Sequence, residues 1–253
     1  MSLMSDSSQP EFAVIGGTGL NQLAEFELLE ERRIETPYGA PSAALKIGRF
    51  NGRGLVFLAR HGDGHHIPPH AINYRANIHA LREAGVRQVL AVAAVGGIRR
   101  DMRPGVIAFP DQLIDYTWGR AHSFHDGSGS GVEHIEFGQP YSEMLRHECI
   151  RVAAQAGLEA VEEGVYGATQ GPRLETEAEI RRMQRDGVDL VGMTGMPETA
   201  LAREAGLEYA CCAVVVNWAA GLADGGIHDQ IEESLAEGMG RVHRLLQALL
   251  PAQ

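Results

Sequence analysis

Six short segments hold the residue types able to do chemistry, and each sits at the end of an apolar run. Arg60-His61-Gly62-Asp63-Gly64-His65-His66 follows Leu55–Ala59; a planar guanidinium there suits phosphate, and the imidazoles can add donors. The spacing of His61, His65, His66 and His70 also invites a metal, but no cysteine or acidic ligand joins them at the usual intervals. Gly16-Gly17-Thr18-Gly19-Leu20 offers free N–H groups and the Thr18 hydroxyl to an anion, or is a tight turn. Gln22 stands where a dinucleotide loop wants its third glycine, and no Gly-Lys-Ser/Thr follows. Ala93–Gly97, Gly171–Thr176, Gly192–Glu198 and Val215–Trp218 complete the set. Thr194 reads as a helix cap or a phosphate donor, Met193 taken alone as core, and Asn217 as a turn residue or a recognition amide. Many anion donors with few titrating groups suit a phosphate and a neutral heterocycle.

These loops need a frame. Phe12–Gly16, Leu55–Ala59, Gln88–Ala94, Val106–Ile114 and Tyr209–Val216 are near-continuous apolar runs, which indicates strands covered on both faces. Helices are expected over Asn73–Ala84 and Met144–Gln155, and from about Asp229 to Leu250. Another opens on the capping box of Thr176 and Glu179 and stops at Gly187. A further one opens on Pro197 and Glu198, an acid suited to the dipole, and stops at Gly206. Alternation of strands and helices gives an α/β fold, a central mixed β-sheet flanked by helices. One domain over residues 11–251 is expected, after a disordered N-terminal segment at 1–10. Ligand sites of such sheets lie at strand ends, where these loops are.

With 22 basic residues against 33 acidic ones, the net charge of −11 argues against nucleic acid or an anionic membrane as partner. No apolar run is long enough to span a bilayer, and the polar start is not a signal peptide. Cys149, Cys211 and Cys212 make no disulfide framework and suit a reducing cytoplasm, the last two as buried strand residues.

Taken together, the segments IGGTGL (15–20), RHGDGH (60–65), NYRANIHAL (73–81), PGVIAFPDQLIDYT (104–117), QGPRLET (170–176) and MTGMPETALAREAG (193–206) resemble the trimeric purine nucleoside phosphorylases, most closely their methylthioadenosine branch. The resemblance implies a homotrimer in which phosphate attacks C1′ of a purine nucleoside, releasing base and sugar 1-phosphate with no metal or organic cofactor. It implies phosphate contacts from Thr18, Arg60, His61, Thr194 and the backbone at Ala93 and Ala94, with Arg60 foremost. Ala93 replaces a threonine usual in that branch, so one hydroxyl donor is missing. Met193 is expected against ribose, Leu174 against base or sugar, and Asn217, Trp218 and Ala219 along the purine. His134 resembles the histidine lent to a neighbouring subunit's site.

The departures from the adenine-specific pattern bear on substrate. Such members carry aspartate at the Asn217 and Ala219 positions and serine at the Glu175 position. An amide at 217 can donate to O6 and accept from protonated N7, so Asn217 is expected to assist base departure. A carboxylate at 175 can accept the N1–H that adenine lacks; otherwise Glu175 is a solvated helix-start acid. At the sugar's 5′ end, Ile231 stands where inosine-cleaving members place a histidine, although it also reads as helix core, and His228 is close by. The expected substrate is 5′-methylthioinosine, with inosine or guanosine, and then methylthioadenosine, as alternatives.

Overall fold

Val89–Val95 is apolar throughout, so neither face of this stretch can meet water. In the computed structural model it is the axis of the sheet, strand β5 (Gln88–Gly97). The structure describes residues 10–17, 25–125, 127, 131–223 and 228–252, with the backbone alone for 228–232. The expectation for residues 1–9 lies outside them.

On one edge β5 pairs in parallel with β11 (Glu208–Trp218) over its whole length. On the other edge β1 (Phe12–Gly16) pairs in parallel as far as Ala91, and β10 (Leu190–Gly192) pairs antiparallel from Gly96. Among the described residues, no strand pairs with residues 92–95 on that edge. The gap opens the sheet for a ligand. β1 continues outward through β4 (Arg53–Ala59) and β3 (Leu45–Phe50) to β2 (Phe26–Arg32). β10 continues through β9 (Val165–Ala168) to β7 (Gln112–Asp115), and β11 through β6 (Ile107–Ala108) to β8 (Ala160–Val161).

The run Val106–Ile114, expected as one strand, is two. Pro110 cannot donate to a ladder, and the chain changes partner there, from β11 to β9. β2 carries FELLEER with an exposed face, so it lacks the apolar run that marks a covered strand. The covered strands send alternate side chains to two cores, as a period of two requires. Ala91, Ala93, Cys211 and Ala213 join one; Leu90, Val92, Ala210 and Cys212 join the other. All three cysteines are free and buried.

Helices α1 (Tyr74–Glu83) and α4 (Gly195–Glu204) close the first core through Ile78, Leu81 and Leu201. Helices α2 (Glu143–Gln155) and α5 (His228–Leu249) close the second through Cys149, Val152, Leu245 and Leu246. Helix α3 (Glu177–Asp186) has the expected capping box and a left-handed Gly187 at its end. In α4 the backbone at Met196 is not helical, so regular turns begin at Pro197. Among the described residues, no helix is long and apolar enough to cross a membrane.

Candidate active site

A cavity of about 480 Å3 lies at the sheet gap, ringed by strand ends and their loops. Arg60, His61, Ala93, Ala94, Leu174, Glu175, Met193, Thr194, Asn217 and Ala219 all line it, from five separate stretches of chain. Met193 is therefore a wall of the cavity, not only core. Ala94 is exposed to this space although it lies within the central strand. Gly17 comes close to Arg60 and His61, so a Cβ there would touch the guanidinium and the imidazole. Thr18, in the next position, lies outside the described residues.

Arg60 directly follows β4 and is buried. Its Nε donates to Glu198 Oε2 at 2.7 Å, its Nη2 to Glu198 Oε1 at 2.8 Å, and its Nη1 to the Val92 carbonyl at 2.9 Å. Tyr209 also donates to Glu198 Oε1, at 2.8 Å. Burial opposes the guanidinium charge, but the adjacent Glu198 carboxylate outweighs it, so Arg60 stays ionised. Of its five N–H groups, these bonds occupy three, leaving two for an anion. Glu198, expected as a helix-start acid, is instead a fully buried counter-ion. An acid inside the apolar stretch MPETALA was the one signal of that role.

His61 lines the cavity in a different state from the donor expected. Burial first, and then the Arg60 charge, bring its pKa down to about 4. Its Nδ1 meets the Ile67 carbonyl at 2.9 Å, a contact that needs the proton on Nδ1. Nε2 of the neutral ring is then an acceptor, suited to a protonated phosphate oxygen. His65 packs on it with ring centroids 4.4 Å apart.

Thr169, the residue after β9, donates its hydroxyl to Glu175 Oε1 at 2.6 Å. Glu175 is half-buried, lines the cavity, and has its carboxylate held by Thr169. Asn217 Nδ2 donates to the Trp218 carbonyl at 2.7 Å, which fixes the nitrogen end of the amide. Oδ1 and the second Nδ2 hydrogen remain. A bulge between Val215 and Asn217 shifts the register against β5 and sets Asn217 opposite Gly96. Gly192 has to be glycine: a Cβ would stand 2.1 Å from the Tyr166 hydroxyl beneath it.

Two expected residues lie apart from this cavity. Trp218 contributes the carbonyl that holds Asn217, but its side chain is not among the cavity's lining residues. His134 is exposed in an irregular segment and does not line the cavity of its own chain. The side chains of His228 and Ile231 lie outside the described residues; Leu235, one turn beyond Ile231 on α5, lines the cavity. Thr169 and Leu235 were missed by reading loops alone, because they lie in or beside regular elements.

A buried arginine, an acceptor histidine, a held carboxylate and an amide lining one cavity can together take an anion and a purine edge. The sequence pattern of the phosphorylase superfamily matches residues 11–251. The chain belongs to that superfamily. It is 57% identical over 218 residues to a probable S-methyl-5′-thioinosine phosphorylase of Xanthomonas campestris pv. campestris, covering 86% of this chain and 87% of that one. It is 52% identical over 242 residues to a protein of the same description from Pseudomonas syringae pv. tomato, covering 95% and 98%. Among solved structures, a variant of the adenosine/methylthioadenosine phosphorylase of Schistosoma mansoni in complex with adenine superposes with a TM-score of 0.88 at 32% identity, over 97% of this chain and 92% of that one. The phosphorylase is a pentosyltransferase built on the mixed α/β sheet expected from its sequence.

Proposed function

We propose that the phosphorylase cleaves S-methyl-5′-thioinosine with inorganic phosphate, giving hypoxanthine and S-methyl-5-thioribose 1-phosphate. The observation that carries this reading is the pairing of a Thr169-held Glu175 carboxylate with the Asn217 amide in one cavity, beside an Ala219 that cannot hydrogen-bond. Glu175 accepts N1–H of a 6-oxopurine. The free Nδ2 hydrogen of Asn217 goes to O6 and its Oδ1 accepts from protonated N7, which steadies the departing base. Both relatives described above carry a thioinosine description, in line with this choice.

Phosphate occupies the end near Arg60, His61, Thr194 and the unpaired edge at Ala93 and Ala94, with Thr18 as a further donor. It attacks C1′ as the bond to the purine nitrogen breaks; the electron pair of that bond leaves with the base, and N7 takes up a proton from water. The chain's part is to place the anion beneath C1′ and to stabilise charge on the purine as the sugar becomes oxocarbenium-like. Met193 and Leu174 pack against ribose and base, while Leu235 offers an apolar wall to the methylthio group. Phosphate supplies the nucleophile, so the proposed reaction draws on no metal or organic cofactor. A cytoplasmic homotrimer, with His134 reaching a neighbour's site, completes the reading.

Initial phosphorolysis rates on methylthioinosine, inosine and methylthioadenosine test it. Methylthioinosine should be fastest, and no hypoxanthine should form without phosphate. Preference for methylthioadenosine would sink the assignment, and a monomer mass by light scattering would remove the trimer.

A further inference from the structure

Arg120 lies in an irregular segment after β7, where no apolar period marks it. Its half-buried guanidinium meets no carboxylate among the described residues; instead it is surrounded by carbonyls. Nη1 donates to the carbonyls of Met193, at 2.8 Å, and Met196. Nη2 donates to those of Thr169 at 3.1 Å and Gln170 at 2.8 Å. Nε donates to the Gln170 side-chain oxygen at 3.2 Å, so all five N–H groups are engaged. Nη1 also comes within 3.3 Å of the Tyr74 hydroxyl, which itself donates to the carbonyl of Pro69, a cavity residue.

We propose that Arg120 is a positioning residue for phosphorolysis: it fixes the loop that holds Glu175 at a set separation from the loop that carries Met193 and Thr194. The two loops follow different strands, β9 and β10, and come from opposite ends of α3. Beyond those strand ends, one guanidinium spans both. Thr169, one of the residues it grips, is the same residue that holds the Glu175 carboxylate. Met193, another, lines the cavity next to Thr194. A rigid planar fan of donors can hold four carbonyls on two loops, whereas an ammonium with three donors on a flexible stem cannot. Misplacement of reacting groups by about 1 Å costs on the order of a hundredfold in rate, so a loosened clamp should appear in catalysis rather than in folding alone.

The experiment compares Arg120→Lys and Arg120→Ala with the parent enzyme, on any nucleoside that the parent turns over. Its outcome is therefore independent of the proposed base preference. All proteins are assayed at a temperature where circular dichroism shows them folded. We expect kcat/KM for both phosphate and nucleoside to fall by about thirtyfold or more in each variant. Millimolar guanidinium, but not methylammonium, should restore about tenfold to Arg120→Ala, because only the planar ion fits the carbonyl cage. If the alanine variant does not fold, the lysine variant carries the test. A folded variant with lowered Tm but kcat/KM within about threefold of the parent on both substrates would show a merely structural arginine and overturn the proposal.

Discussion

Arg60 and Glu198, 138 positions apart in the chain, meet as a buried bidentate pair beneath the cavity, at 2.7 and 2.8 Å. The pair is a fixed platform: Glu198 holds the fork flat while two N–H groups remain for an anion. It also makes the arginine's charge locally compensated, so phosphate is held by directed hydrogen bonds more than by excess positive charge.

Removing either partner should be costly. Arg60→Ala strands Glu198 as a buried carboxylate without its cation. Arg60→Ala and Glu198→Ala should each lose about 3–5 kcal/mol of stability. At about 2–4 °C per kcal/mol for a chain of this size, calorimetry should show a Tm fall of roughly 6–20 °C. The double variant Arg60→Met/Glu198→Leu should regain at least half of that loss. It should still need about tenfold more phosphate or worse. A double variant no more stable than the singles would contradict this account.

His61 imposes a pH dependence on folding. Its pKa is about 4 in the fold, by burial and then by the Arg60 charge, against an ordinary 6.5. Between those values the unfolded chain binds the extra proton, so stability rises with pH across this window and is lost as pH falls through it. His61→Asn should shrink the difference in urea midpoint between pH 7 and pH 4.5. An unchanged difference would mean that His61 is not held neutral.

Base choice is read from Asn217 and Glu175 together. Asn217→Asp should mainly weaken turnover of 6-oxopurines, since O6 would meet a carboxylate while Glu175 still opposes N1 of adenine. The triple variant Asn217→Asp/Glu175→Ser/Ala219→Asp should shift preference towards methylthioadenosine. Each buried mismatch costs about 1–3 kcal/mol, so two separate the substrates by roughly two to four orders of magnitude. Rates on paired substrates measure it; if Asn217→Asp leaves the ratio untouched, Asn217 does not read the base.

Leu235 tests the sugar end. Leu235→Asn puts a polar group on the apolar wall of the cavity. Burying a methylene-sized group is worth about 0.8 kcal/mol, so the preference for methylthioinosine over inosine should drop by roughly fourfold. A constant ratio of the two kcat/KM values would place the 5′ substituent elsewhere.

Local pattern was enough for much of this protein. Apolar runs marked β1, β4, β5 and β11, the Thr176–Glu179 box and Gly187 bounded α3, and the strand-end loops contained most of the cavity wall. Those features arise from neighbours in sequence, through periodicity, capping and turn chemistry. Other facts depend on residues far apart in the chain, and only the tertiary structure decided them. Among the described residues no strand pairs with 92–95 on one edge of β5, because β1 stops and β10 starts on that side. Glu198 became a counter-ion because α4 delivers it to the end of β4, where a buried guanidinium would otherwise be unpaired. Thr169 and Arg120 make their contacts where the loops after β7, β9 and β10 converge, and no periodicity records that convergence. A hydrogen bond or ion pair needs its partner within about 3 Å, and sequence spacing does not fix that distance between elements joined by long connections.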